Sequence, residues 1–195
     1  MKNKLRILTA LVLTTAFFCA GCGQTSTVSP KADTQKTTAS TQQAEDGTVF
    51  SNLKTTDLDG NPADASIFKE NKLTLVNAWN IGCTPCVEEI PTLDKLNREY
   101  EKKGVAIKGL YFNFAETIGD DEKKQIDAVL SDANATYQQL QLTSDMYQTS
   151  TMQEVMAFPS TFIVDSNGTI LDKIEGSNDY DGWKAVIETY LAKVE

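Results

Sequence analysis

Two cysteines, Cys83 and Cys86, are separated by two residues and lie where a helix is expected to begin. An apolar run at 73–76 favours a strand before them, and apolar residues at helical spacing follow between 90 and 100. The first turn of a helix leaves backbone N–H groups unpaired and carries the positive end of the helix dipole, so it favours a thiolate. The pattern therefore predicts a reactive pair, in which Cys83 attacks and the more buried Cys86 resolves the mixed disulfide.

The pair has three alternative interpretations. A structural disulfide would close a very short loop and would stabilise the fold little, because the stabilisation grows with loop length. Half of a zinc site would need two more ligands, and the chain contains no histidine. The third is a coincidence of two buried thiols, which the second motif described below argues against.

Composition and charge limit the classes of partner. The chain has 195 residues, which suggests one domain with an additional segment. Its formal charge is −9, and removal of an N-terminal segment with three basic residues would leave 15 basic and 27 acidic residues, or −12. Nucleic acid is not an expected partner, because phosphate binding requires a basic surface. No cofactor is predicted, and the lack of a Cys-x-x-Cys-His motif excludes attached c-type haem.

Residues 1–21 have the features of a secretory signal. A basic start is followed by an apolar run at 7–20, which is shorter than the roughly 20 residues of a membrane-spanning helix. Small residues precede Cys22 and resemble the lipobox of bacterial lipoproteins, which implies that Cys22 carries a lipid. Cys19 stands where the lipobox usually has leucine, and an ordinary secretory signal cleaved nearby is the alternative. Both predict a protein outside the cytosol, where disulfides persist.

Residues 22–47 are rich in Thr, Ser, Gln, Ala and Lys and contain no aromatic residue. Such a segment buries too little apolar area to offset the entropy lost on ordering. We therefore predict that 22–47 is a disordered tether that starts with the lipidated cysteine, and that the folded domain occupies 48–195.

The domain is predicted to alternate strands and helices. The predicted elements are a hairpin or tight turn at 55–62, a strand at 73–78, a helix from the cysteines to Gly104, a strand at 105–112, a helix at 121–133 capped by Asp120 or Asp121, a short strand at 137–142, a short helix at 145–154, a strand leading into a turn at 165–168, a return strand at 169–174 and a helix from Tyr180. Pro159 immediately precedes the strand of the last hairpin, and this is the second motif.

This order of elements, with Cys-x-x-Cys at the first helix start and a proline before the hairpin, resembles the thioredoxin fold. More closely it resembles the TlpA/ResA family of membrane-tethered thiol-disulfide oxidoreductases, over about 49–194. The family's Val-Asn-Phe-Trp is matched by Val-Asn-Ala-Trp at 76–79, and its Cys-x-Pro-Cys-x-x-Glu-x-Pro is matched from Cys83 to Pro91. The resemblance implies an α/β thioredoxin fold with an N-terminal hairpin, a central insertion and a mixed sheet flanked by helices.

The resemblance also implies roles for two further residues. Pro159 matches the family's cis-proline, which would face the two sulfurs and hold the backbone of the client. Glu89 would exchange a proton with the Cys86 thiol, because classical thioredoxin has a buried aspartate where this chain has Asn77. The alternative for Glu89 is a solvated helix glutamate, as we expect of Glu88.

The chain departs from the family pattern at two positions beside the motifs. Gly82 stands where tryptophan usually precedes the first cysteine, and Phe158 stands where a smaller residue usually precedes the proline. Both positions are expected to contact the client. Compared with the family pattern, the bulky side chain therefore stands on the other side of the site. We expect the selectivity for clients to differ accordingly.

The predicted function is disulfide exchange on the outer face of the cytoplasmic membrane, in the reducing direction. The implied partners are oxidised exported proteins, such as apocytochrome c or a methionine sulfoxide reductase, and a CcdA-like membrane thiol carrier that returns electrons. The alternatives are an oxidase that uses the same site and a metal-delivery lipoprotein of the same fold. The lack of histidine argues against metal delivery, and a peroxiredoxin would require a Pro-x-x-x-Thr-x-x-Cys pattern that is absent.

Overall fold

A computed structural model describes residues 47–114 and 117–194 of the chain. The predicted signal segment, the predicted lipid anchor Cys22 and the predicted tether up to residue 46 lie outside the described residues. Within these residues, no helix combines the length and the apolar character that crossing a bilayer requires.

A hairpin lies near the start of the domain. Strands β1 (Lys54–Thr56) and β2 (Pro62–Asp64) pair antiparallel. The turn between them is closed by Asp57, whose Oδ1 accepts hydrogen bonds from the backbone N–H groups of Asp59 at 3.1 Å and Asn61 at 2.8 Å. Of the hairpin or tight turn predicted at 55–62, the structure therefore shows the hairpin.

The central sheet has five strands: β3 (Leu73–Trp79), β4 (Val105–Tyr111), β5 (Gln139–Gln141), β6 (Ser160–Asp165) and β7 (Ile170–Glu175). Their order is β5-β4-β3-β6-β7. The first three run parallel to one another, whereas β6 is antiparallel to β3 and β7 to β6. This is the mixed sheet that was predicted, and it places the carboxyl ends of β3, β4 and β5 at one edge.

Helices cover both faces of the sheet: α1 (Ser66–Lys69), α2 (Thr84–Tyr100), α3 (Asp120–Asp132), α4 (Ser144–Tyr147), α5 (Ser150–Gln153) and α6 (Tyr180–Val194). A short 3-10 turn follows α2 and ends at Gly104, whose φ of 82° is the left-handed conformation that glycine adopts without strain. The unit formed by α3 and β5 is the central insertion, because it separates the β3-α2-β4 half from the β6-β7-α6 half.

The core has two parts because side chains alternate along each strand. On β3, Leu75 and Trp79 join the cluster that α2, α3 and α6 cover, whereas Val76 and Ala78 join the cluster on the opposite face. All seven residues of β3 are buried, as expected of a central strand. The strand is therefore a rigid support for the loop that follows its carboxyl end.

Two details of the predicted helices are wrong. The N-cap of α3 is Gly119, so Asp120 and Asp121 do not cap the helix. Instead they lie in its first turn, where a carboxylate is favoured by the positive end of the helix dipole.

The single helix predicted at 145–154 is two one-turn helices. Thr149 separates them, because its hydroxyl donates to the carbonyl of Met146 at 2.7 Å and accepts from the N–H of Met152 at 3.3 Å. A threonine with this pair of bonds ends one helix and caps the next, so the backbone turns between α4 and α5.

Candidate active site

The two cysteines form a disulfide at the start of α2. Cys83 is the N-cap residue, with an extended backbone at φ −101° and ψ 96°, and its Sγ accepts a hydrogen bond from the N–H of Cys86 at 3.3 Å. The Cα atoms of the two residues are 5.3 Å apart. Cys83 is half-buried and Cys86 is fully buried. The predicted placement at the helix start, with the first cysteine nearer to solvent, is confirmed.

Pro159 lies at the same edge of the sheet as the cysteines. Ala78 of β3 pairs with Ser160 of β6. Because β6 runs antiparallel to β3, the residue before Ser160 lies at the carboxyl end of β3, from which the chain continues to Cys83. The peptide bond between Phe158 and Pro159 is cis, as the family resemblance implies. The role of Pro159 in holding a client stays a prediction.

Glu89 lies one turn after Cys86 on α2 and is only 4% exposed. Its Oε1 accepts a hydrogen bond from Nδ2 of Asn77 at 2.8 Å. Its Oε2 accepts from Nε1 of Trp183 at 3.1 Å and from the backbone N–H of Asn178 at 3.3 Å. The solvated alternative is therefore wrong for Glu89, whereas the neighbouring Glu88 is exposed as expected.

The environment of Glu89 changes its acidity. Burial raises the pKa of its carboxyl above the ordinary value, and the three donated hydrogen bonds oppose that rise only in part because they favour the ionised form. A buried carboxyl with a raised pKa holds its proton closer to neutral pH than an ordinary glutamate does. It is therefore suited to take a proton from a neighbouring group and to return it.

The sequence did not reveal the donors to Glu89. Trp183 lies on the helix predicted from Tyr180, and Asn178 precedes that helix. One general signal was available for Trp183, because a buried indole N–H usually finds an acceptor. Thr161, which accepts from Nδ2 of Asn77 at 3.0 Å, was likewise not predicted.

The central insertion supports the strand ends beside the cysteines. Trp79, the last residue of β3, donates from Nε1 to Oε1 of Gln139 on β5 at 2.9 Å. Its ring packs edge to face with Tyr111, the last residue of β4, at 5.1 Å between centroids. The Tyr111 hydroxyl donates to Oε1 of Glu122 on α3 at 2.7 Å. These contacts fix the position from which the chain enters the cysteine loop.

The positions that depart from the family pattern lie at the site. Gly82 is exposed, and a Cβ there would meet only Oδ1 of Asn80, at 3.2 Å. Phe158 is half-buried and packs edge to face with Phe112, at 5.0 Å between centroids. The side of the cysteines next to Gly82 is thus open, and the side next to Pro159 is lined by aromatic rings.

A pair of one half-buried and one buried sulfur, with a proton-holding carboxyl on the same helix, can when reduced pass two electrons and two protons to a bound disulfide, and when oxidised can take them from a dithiol. Over 47–114 and 117–194, no group of three His, Cys, Asp or Glu side chains is placed to hold a metal ion. The Cys83–Cys86 pair at the helix start offers thiol-disulfide exchange.

Known proteins with similar sequences include thiol-disulfide oxidoreductases and a thioredoxin-like protein. The Redoxin family matches residues 32–191. The thiol-disulfide oxidoreductase ResA of Bacillus thuringiensis subsp. konkukian is 27% identical over 153 residues, which cover 78% of this chain and 80% of that protein. The thioredoxin-like protein YneN of Bacillus subtilis is 31% identical over 103 residues, or 53% of this chain and 56% of YneN.

A solved structure shares the fold. The thiol:disulfide interchange protein of the thioredoxin family from Chlorobium tepidum superposes with a TM-score of 0.60 at 17% identity, over 71% of this chain and 92% of that one. At this identity the likeness supports the thioredoxin fold that the order of elements predicted.

Proposed function

Since this chain belongs to the Redoxin family and is a thiol-disulfide oxidoreductase of the thioredoxin fold, we propose that it reduces disulfides of exported proteins at the outer face of the cytoplasmic membrane. The observation that carries the exchange reaction in this proposal is the bond between a half-buried Cys83 at the helix N-cap and a fully buried Cys86. Only the first sulfur is accessible to a polypeptide, so the two sulfurs have different roles.

The reaction begins with the reduced pair. The Cys83 thiolate attacks one sulfur of the client disulfide, a Cys83–client bond forms, and the second client sulfur leaves as a thiolate that takes up a proton. Cys86 then loses its proton and attacks Cys83, which closes the Cys83–Cys86 disulfide and releases the first client sulfur as a thiol. Two electrons pass from the pair to the client in these two steps.

Glu89 and Pro159 assist the two steps. Glu89 takes the proton from Cys86 during the second attack, since its raised pKa allows it to hold that proton and since it lies one turn after Cys86 on the same helix. Pro159 holds the backbone of the client beside Cys83. Its position at the carboxyl end of β3 supports this role.

The oxidised pair must then be reduced by another dithiol. A CcdA-like membrane thiol carrier is the proposed donor, and apocytochrome c or a methionine sulfoxide reductase is the proposed client. These partners and the reducing direction rest on the resemblance to the TlpA/ResA family. Location at the membrane rests on the signal-like residues 1–21 and on Cys22 as the lipid anchor.

The reduction potential of the Cys83–Cys86 pair tests the direction. The purified full chain would be equilibrated with glutathione buffers and its redox state read from the mass of the alkylated protein. We expect a potential well below about −200 mV, as in reducing members of the fold. A value near about −120 mV, as in DsbA, would show that the pair forms disulfides instead.

Lipid labelling tests the anchor. Cells that express the parent chain are expected to incorporate a labelled fatty acid into it, and Cys22→Ala is expected to abolish the label. Cys19→Ala is the matched control and should keep the label. An unlabelled parent chain in the culture medium would favour the ordinary secretory signal.

A further inference from the structure

Large apolar side chains are exposed around the edge of the sheet where the disulfide lies. Phe114 is 72% exposed, Met156 84% and Tyr147 41%. All three belong to segments that follow β4 or β5 or that lead into β6. Apolar side chains that cluster at a surface usually mark a place where another molecule binds.

Four aromatic rings form one continuous cluster at this edge. Phe112 packs edge to face with Phe158 at 5.0 Å, with Phe114 at 6.1 Å and with Tyr147 at 6.5 Å between centroids. Phe114 and Phe158 are also in edge contact, at 6.2 Å. We call the set Phe112, Phe114, Tyr147 and Phe158 the aromatic surface, in which Phe112 is buried, at 2% exposed, and the other three rings are wholly or partly exposed.

A cavity of about 250 Å³ opens beside this surface. It is lined by Asn113, Phe114, Leu142, Thr143, Ser144, Tyr147 and Gln148. None of these residues is charged, so the cavity offers no counter-ion to a charged ligand. Pockets that enclose a whole drug-sized ligand measure roughly 300–1,000 Å³, so this one suits a single large side chain.

The aromatic surface lies at the same end of the sheet as the disulfide. The backbone N–H of Phe112 bonds to the carbonyl of Trp79 at 2.8 Å, and Trp79 ends the strand that leads to the cysteines. At the other end of the surface, Phe158 directly precedes Pro159. A polypeptide bound with its disulfide at Cys83 would therefore pass over these rings.

We propose that the aromatic surface binds a large apolar side chain of the client, close in sequence to the client cysteine that Cys83 attacks. The inference rests on the thiol-disulfide exchange proposed above and adds a substrate class to it: polypeptides in which an aromatic residue flanks the reactive cysteine. The occupant is a client because the surface lies at the same end of the sheet as the sulfur that must touch one. The uncharged lining favours an apolar side chain over an acidic or basic one.

The test compares three oxidised substrates with the reduced full chain. They are a peptide disulfide with Trp two residues from one cysteine, its twin with Ser at that position, and hydroxyethyl disulfide, which carries no side chain. The second-order rate constant for oxidation of the cysteine pair would be measured under single-turnover conditions. The selectivity is the ratio of the rate constants for the Trp and Ser peptides.

We expect the parent chain to prefer the Trp peptide by about tenfold, which corresponds to about 1.4 kcal/mol. Phe114→Ser and Tyr147→Ser, both at exposed positions, should each bring the ratio close to one. Leu171→Ser is the matched control, because Leu171 is also an exposed apolar residue, at 39%. It lies on β7, the outermost strand of the sheet beside β6, and not on the aromatic surface. It should keep the parent's ratio.

Some results would overturn the role of the aromatic surface but not the exchange reaction. One is a Trp-to-Ser rate ratio near one in the parent chain while hydroxyethyl disulfide is reduced. Another is a parent preference for the Trp peptide that neither variant changes. A parent chain that dimerises in solution, and becomes monomeric on Phe114→Ser without a change in ratio, would assign the rings to a second copy and would also overturn the proposal. Failure to reduce any of the three substrates would instead overturn the exchange reaction, and the surface with it.

Discussion

The side-chain amide of Asn77 donates a hydrogen bond to the carboxylate of Glu89 at 2.8 Å, and both side chains are buried. An amide can donate here without carrying a charge, so Glu89 is the acidic member of the pair. Oδ1 of Asn77 has no hydrogen-bond partner among the described residues. In the proposed reaction the proton is therefore held by the glutamate, and the asparagine only donates to it.

Asn77→Asp should destabilise the fold in a pH-dependent manner. Two buried carboxylates at this distance repel each other, which would raise the pKa of the pair in the folded state above the unfolded values. The folded state then binds more protons than the unfolded state, so stability falls as pH rises above about 4. We expect a loss of about 2–4 kcal/mol at pH 7 and a small loss at pH 4.

Chemical denaturation at several pH values measures this loss. The double variant with Asn77→Asp and Glu89→Gln is the control, because it removes the second carboxyl and should recover most of the stability at pH 7. A loss of equal size at both pH values would contradict the interpretation.

Glu89→Gln should slow the release of the client from the mixed disulfide. In the parent chain this step should speed up as pH rises through the raised pKa of Glu89, since the ionised form is the one that accepts a proton. In the variant the rise should occur only at higher pH, where a thiol ionises without the help of a carboxylate. We expect a decrease on the order of 100-fold at neutral pH.

Single-turnover kinetics of client release at several pH values measures this effect. Glu88→Gln is the matched control, because Glu88 is exposed on the same helix, and it should keep the parent's profile. A Glu89→Gln profile that is lowered equally at every pH would indicate a structural role only.

Cys86→Ser should trap the client. The variant keeps Cys83, the proposed nucleophile, and loses the sulfur proposed to release the client, so the mixed disulfide should accumulate. Mass spectrometry of non-reduced samples should show a covalent complex with Cys86→Ser and none with Cys83→Ser. The double variant with both substitutions controls for Cys19 and Cys22. Trapping through Cys86 in the Cys83→Ser variant would reverse the assigned roles.

Asp94 should contribute strongly to stability because it joins α2 to the loop before β5. It is buried, its Oδ1 accepts from the N–H of Thr136 at 2.6 Å and from its hydroxyl at 2.8 Å, and its Oδ2 pairs with Arg98. Asp94→Ala would leave these donors without an acceptor, and we expect a loss of about 2–4 kcal/mol in the free energy of unfolding.

Asp127→Ala is the control for Asp94. Asp127 pairs with Lys123 on the surface of α3, and exposed ion pairs contribute little. We expect it to change the free energy of unfolding by less than about 0.5 kcal/mol. Equal losses for the two variants would show that the hydrogen bonds of Asp94 to Thr136 and Arg98 do not contribute specifically to the free energy of unfolding.

Local patterns were sufficient for most of the fold. The strand predicted at 73–78, the helix start at the cysteines and the turns at Asp57, Gly104 and Asp165 depend on apolar spacing and on turn residues within a few positions. The break between α4 and α5 was missed because the choice between one helix and two depends on both bonds of the Thr149 hydroxyl. The cap of α3 was assigned to the wrong residue because acidic residues follow Gly119 directly. Aspartate is a preferred N-cap residue, so the sequence pattern pointed to Asp120 or Asp121.

The sequence by itself determined that two sulfurs stand at the start of a helix, with a carboxyl one turn later, because all three positions follow from spacing along one helix. Only the tertiary structure decided the state of that carboxyl. Its donors Asn77, Asn178 and Trp183 are 12, 89 and 94 residues away along the chain. Burial and hydrogen bonds from distant elements set a pKa, and no local spacing encodes them.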